Sequence, residues 1–242
     1  MPGTARILLL LLVALLTAGC PRLRPAPAPI RTFEIEPGAP GSKSLIVLLP
    51  GRRDSPEDFR RFGWGELARK AGVDARIVAV DAHLGYYYRR TVIERLRQDV
   101  IGPSGAERVW LAGVSLGGTG SILYSIEHPE DVDGIAIFAP FLGEEELRKE
   151  IEAAGGLSGW EPAGTTDFQP RMWAWFKAGP KIPVYLGWGE RDDFAPMNAL
   201  LGKSLPPERV FTVEGGHDWR AWTKLWERFL ETSGPLLVAR DI

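Results

Sequence analysis

The chain has 242 residues, a length that fits one large α/β domain better than two autonomous ones. A hydrophobic share of 45% and a charged share of 25% are ordinary for a globular protein and exclude a disordered, collagen-like or disulfide-stapled chain. Lys and Arg total 29 against 31 Asp and Glu, a formal charge of −2, so no basic field exists to recruit nucleic acid.

The first element is a targeting segment. Arg6 precedes an apolar run from Ile7 to Ala18. About 12 residues of helix at ~1.5 Å each are too short to cross a hydrocarbon core ~30 Å thick, so the run reads as the core of a signal peptide. It ends in Leu16-Thr17-Ala18-Gly19-Cys20, which resembles the lipobox of bacterial lipoproteins, where the cysteine is acylated before cleavage. Cys20 is the only cysteine, so it has no internal disulfide partner, and a lipid anchor is its expected use. Ordinary cleavage nearby, leaving a free thiol, is the alternative. The alternating prolines of Pro21 to Pro29 then predict an extended, semi-rigid tether that holds the following domain off the bilayer.

From Ser44 onward, short apolar runs alternate with longer amphipathic stretches, the rhythm of a mostly parallel sheet with crossover helices. The expected strands are Leu45 to Leu49, Ala75 to Val80, Arg108 to Val114, Gly134 to Phe138, Val184 to Trp188 and Val210 to Val213. Helices are expected from about Pro56 to Ala71, Tyr88 to Val100, Leu116 to Glu127, Glu144 to Ala154 and Asp218 to Glu231. The stretch 141–180 exceeds the needs of one crossover and carries Trp160, Trp173, Trp175 and Phe176. It reads either as a small lid or as a helix whose aromatics pack onto the sheet.

Gly113-Val114-Ser115-Leu116-Gly117 fits G-x-S-x-G between an expected strand and an expected helix. A serine at so sharp a turn is forced into strained geometry that projects its hydroxyl above the sheet, and small residues two positions away relieve the crowding. A serine hydroxyl needs a general base at neutral pH, and histidine is the usual one. Of the three histidines, His128 falls at the far end of the helix after Ser115, roughly 18 Å away. His83 follows a strand towards the rim, where it is expected either to contact substrate or to be solvated. His217, in the loop Glu214-Gly215-Gly216-His217-Asp218-Trp219, is the better base. A carboxylate must orient its ring, and the loop Gly189-Glu190-Arg191-Asp192-Asp193 offers three acids, of which Asp192 is favoured over Asp193 and Glu190.

With Ser115, Asp192 and His217 in that chain order, the sequence resembles the α/β-hydrolase superfamily over roughly residues 44–232, most closely its small carboxylesterases with little or no cap. The resemblance implies an open, mostly parallel sheet with helices on both faces. It implies a serine esterase that acts through an acyl-enzyme on a small-molecule acyl ester, with no metal or organic cofactor. Acyltransferase and peptidase activities use the same machinery, and a non-catalytic binding module is the rival outside enzymes. Where family members often read His-Gly after the first long strand, this chain reads Leu49-Pro50-Gly51-Arg52-Arg53-Asp54. The donors needed there are main-chain amides, so the N–H groups of Arg52 and Leu116 are the expected oxyanion hole. Arg52 and Arg53 either attract an anionic substrate or are solvated or paired with Asp54 and Glu57. The expected organisation is a signal peptide at 1–19, a lipidated Cys20 and tether at 20–32, and a catalytic domain at 33–242. The expected location is the bacterial cell envelope, on a membrane face outside the cytoplasm.

Overall fold

A computed structural model describes residues 24–162, 167–234 and 237, so the expected signal peptide and lipidation site at Cys20 lie outside the described residues. Seven strands form one sheet: β1 (Thr32–Glu36), β2 (Ser44–Leu49), β3 (Arg76–Val80), β4 (Arg108–Val114), β5 (Gly134–Phe138), β6 (Val184–Gly189) and β7 (Val210–Val213). Their spatial order is β1-β3-β2-β4-β5-β6-β7, parallel throughout except for β1, which runs antiparallel to β3. The six expected strands are present within a residue of their expected bounds. β1 was not expected, because its sequence Thr-Phe-Glu-Ile-Glu is half polar and follows a proline-rich run. Its burial is partial, as befits an edge strand.

Every residue of β2, β5 and β6 is buried, which requires cover on both faces of the sheet. The helices are α1 (Pro56–Arg61), α2 (Trp64–Lys70), α3 (Leu84–Tyr88), α4 (Val92–Arg95), α5 (Leu116–Glu127), α6 (Glu145–Ala153), α7 (Phe168–Ala178), α8 (Ala195–Gly202) and α9 (Trp219–Ser233). A wide turn of helix over Leu96–Ile101 continues α4. The run expected as one helix from Pro56 to Ala71 is broken, because Gly63 enters the left-handed region at φ 73° between α1 and α2. The helix expected from Tyr88 is broken likewise by Arg90 at φ 56°.

Two departures bear on function. Residues 24–30, expected as part of a semi-rigid tether, lie against the domain. Arg24 pairs with Asp81 at 2.9 Å, Tyr86 donates its hydroxyl proton to Pro27 O at 2.7 Å, the Ile30 amide donates to Asp99 Oδ2 at 2.8 Å, and the Ile30 side chain is buried. Composition favours an extended chain here, but an extended chain with apolar side chains can still dock, and Asp81 and Tyr86 supply the partners. The second concerns 141–180. Trp160, Met172, Trp173 and Phe176 are buried in the core, and Trp173 Nε1–H donates to Leu142 O at 2.8 Å. These aromatics pack α7 onto the body of the protein, and α7 rests on α5.

Candidate active site

The strand order reverses at β2, whose successor β3 lies on one side and β4 on the other. In such sheets the crevice beyond the strand carboxyl ends at the reversal is the natural place for a ligand. The turn 50–54 leaves β2 at that point and Ser115 leaves β4 beside it.

Ser115 has φ 52° and ψ −118°, a conformation costing about 1–3 kcal/mol that the surrounding packing must enforce. Its amide donates to Phe138 O at 2.9 Å, tying the bend to β5. The bend also demands glycine nearby. A methyl group on Gly117 would lie 2.0 Å from Leu49 O, and one on Gly113 would lie 2.3 Å from the Gly117 carbonyl. These contacts are the physical content of the G-x-S-x-G spacing.

The side chains expected from the sequence converge. His217 Nε2 is 2.9 Å from Ser115 Oγ, and His217 Nδ1 is 2.8 Å from Asp192 Oδ2. The Asp192 side chain is 0% exposed, and its other oxygen accepts the Phe194 amide at 2.8 Å. The turn that aims it is closed by the Asp192 amide on Gly189 O at 3.0 Å. Glu190 and Asp193 are exposed. Phe194 and Trp222 stand edge-on to the imidazole at 4.8 and 5.0 Å between ring centres, fixing its plane.

Leu116 opens α5, so its N–H is one of the first-turn donors without an intrahelical acceptor. Gly51, which precedes Arg52, stands against the nucleophile: a methyl group there would lie 3.3 Å from Ser115 Cβ. Arg52 and Arg53 are exposed. Asp54, one of the partners the sequence offers them, accepts Trp219 Nε1–H at 2.8 Å. Burial raises its carboxyl above the usual range, with Asp58 adding to the rise, while the Trp219 bond, the charge of His217 and the Gly51 amide oppose it. An aromatic row runs outward from the imidazole through Phe194, Phe141 at 5.7 Å and Phe168 at a further 6.5 Å. Sequence reasoning missed both this row and Trp219, because neither is encoded by local spacing.

The remaining histidines lie elsewhere. His83 caps α3, its Nδ1 accepting the Gly85 amide at 3.1 Å. Its pKa is lowered, first by burial and then by Arg24. His128, at the far end of α5, lies with Glu130 and Asp131 in a group compact enough for a cation. Asp131 there already accepts Tyr124 Oη–H and pairs with Arg97 at 2.9 Å, so the group fits an internal polar network better than a metal site.

The sheet, the sharp serine turn and the histidine and acid loops define an α/β hydrolase. Residues 83–230, more than half of the chain, match the family model described as "Putative esterase", and the chain belongs to that family. It is a serine-esterase-like enzyme. Solved structures with the same fold include a CIB-like hydrolase of Thermoplasma acidophilum, 18% identical, covering 86% of this chain and 97% of that one at TM-score 0.57. The S-formylglutathione hydrolase FrmB of Staphylococcus aureus is 13% identical, covering 85% and 98% at TM-score 0.58. Est1E of Butyrivibrio proteoclasticus is 12% identical, covering 84% and 91% at TM-score 0.57. No curated protein matches the sequence.

Proposed function

We propose that the protein hydrolyses carboxylic esters through an acyl-enzyme formed on Ser115. His217 takes the Ser115 proton as the hydroxyl attacks the carbonyl carbon, then delivers it to the departing alkoxide. Asp192 holds the imidazole in the tautomer that presents Nε2 as acceptor. The amides of Arg52 and Leu116 stabilise the oxyanion, a contribution of about 3–4 kcal/mol per donor in comparable sites. Water then attacks the acyl-enzyme with His217 again as base, releasing the acid and restoring the hydroxyl. The carrying observation is the unbroken hydrogen-bonded line from Asp192 through His217 to Ser115 at 2.8 and 2.9 Å. The Phe194–Phe141–Phe168 row supports a compact apolar substrate group, and the packed α7 supports preference for small and medium acyl chains over long-chain triglycerides. A panel of acyl esters of increasing chain length tests this, and efficient turnover of insoluble long-chain substrate with interfacial activation would overturn it. Competition between water and added alcohols separates hydrolysis from acyl transfer.

The same reading includes a membrane anchor at Cys20, which supports action in the bacterial envelope. Several acyl chains on one cysteine anchor stably, at about 0.8 kcal/mol for each buried CH₂. Because residues from Arg24 onward lie on the domain beside the carboxyl end of β3, only the three residues 21–23 separate it from Cys20. Such an anchor would keep the active-site edge of the sheet close to the bilayer, not spaced from it. Mass spectrometry of membrane-extracted protein tests this: an acylated N-terminal Cys20 is expected, and an unmodified Cys20 or a retained segment 1–19 would overturn it.

A further inference from the structure

Asp54 ends the turn after β2, lies outside the part of the chain matched by the esterase family, and takes no step in the mechanism above. One of its oxygens faces the histidine loop and the other faces the turn itself. Oδ1 accepts Trp219 Nε1–H at 2.8 Å across 165 residues of sequence. Oδ2 faces Gly51 so closely that a methyl group on Gly51 would lie 2.2 Å from it and 3.3 Å from Ser115 Cβ. Carboxylate and nucleophile are thus separated by little more than the space of one methyl group. Trp219 is itself immobilised, stacked on Phe62 at 5.0 Å and 3°, with Phe59 edge-on at 5.0 Å. Trp222, which holds the His217 ring, meets Trp219 edge-on at 5.3 Å.

We propose that Asp54 is a positioning residue that clamps the oxyanion turn to the histidine loop, so that the Arg52 amide and His217 Nε2 address the same carbonyl. The inference rests on the triad reading above. A donor serves an oxyanion only when aimed at where charge develops, within about 0.5 Å, so a turn free to drift would lose transition-state stabilisation before it lost substrate binding. The choice of aspartate fits. Its side chain accepts Trp219 Nε1–H from the histidine loop, while its own amide donates to Gly51 O at 3.3 Å within the turn, so one residue ties both segments. A residue that only closed the turn would need the Gly51 bond alone, not a partner 165 residues away.

The test is a double-mutant cycle in the full chain with Trp219→Phe, Asp54→Ala and both together, read on a soluble ester. A trifluoromethyl ketone, which adds to serine as a tetrahedral oxyanion, and the carboxylic acid product report transition-state and ground-state binding. Each single variant is expected to lower kcat about tenfold with KM within about twofold, and to weaken the ketone by the same factor while sparing the product. The double variant should be no worse than the worse single one, as for two ends of one interaction. Wild-type kcat in both single variants, additive losses, or equal weakening of ketone and product would overturn the proposal. Trp219→Phe keeps the ring stack, so it carries the test should Asp54→Ala fail to fold. Turnover by Ser115→Ala would overturn the triad reading itself, whereas an inert Ser115→Ala beside an additive cycle would overturn only the clamp.

Discussion

At Ser115 a hydroxyl in a strained conformation meets a histidine that is itself held by a fully buried aspartate, and in the proposed mechanism each group acts through the others. Ser115→Ala and His217→Ala should therefore each lower kcat/KM by about 10³-fold or more at unchanged melting temperature, and the double variant should resemble either one. Steady-state ester hydrolysis checks this, and additive losses would contradict it. Asp192→Asn should lower kcat by about 10³- to 10⁴-fold through a misdirected imidazole, whereas Asp193→Asn, on an exposed side chain, should stay within about threefold of wild type. The reverse ranking would move the acid by one residue. The serine and histidine were legible because glycine crowding around a strand end leaves a local trace in sequence. The choice among three neighbouring acids was harder, since it depends on a turn closed by Gly189 O and on the Phe194 amide. The Asp54–Trp219 contact was not legible, because two loops meet there that share no sequence neighbourhood.

Elements with strong periodicity were read well: β4, β5, β7 and α5 fall at their expected bounds because apolar runs and flanking glycines mark their ends. The breaks at Gly63 and Arg90 were hidden, since both interrupt amphipathic runs without altering the apolar pattern. α3 carries a pH-sensitive cap. His83 is a base whose folded pKa lies below its unfolded value, first through burial, with Arg24 and Arg89 also opposing its charge and Asp81 favouring it. The unfolded chain then takes the proton first, so stability is lost as pH falls from about 6.5 towards the folded pKa and levels off below it. Protonation at Nδ1 would also remove the acceptor for the Gly85 amide. The melting temperature of His83→Asn, which keeps an uncharged cap, should fall less between pH 7.5 and pH 5.5 than that of wild type. Parallel pH profiles would contradict this.

For the whole molecule, residues 24–30 belong to the folded domain. A chain beginning at Ile30 loses the partner of Asp81, whose side chain is 10% exposed, and the acceptor of Tyr86 Oη–H. Each buried polar group left without a partner costs about 1–3 kcal/mol, reduced for Asp81 because Arg24 is largely exposed, and each kcal/mol lowers Tm by about 2–4 °C at this size. Thermal unfolding of chains beginning at Pro21 and at Ile30 should differ by several degrees, and identical curves would contradict the docking.

The central claim is that one activated serine performs the chemistry, and fluorophosphonate labelling followed by mass spectrometry of the intact and digested protein tests it most directly. One adduct per chain is expected, located on Ser115, abolished in Ser115→Ala and strongly slowed in His217→Ala. An adduct on another residue, or ester turnover at the wild-type rate by a folded Ser115→Ala enzyme, would contradict it.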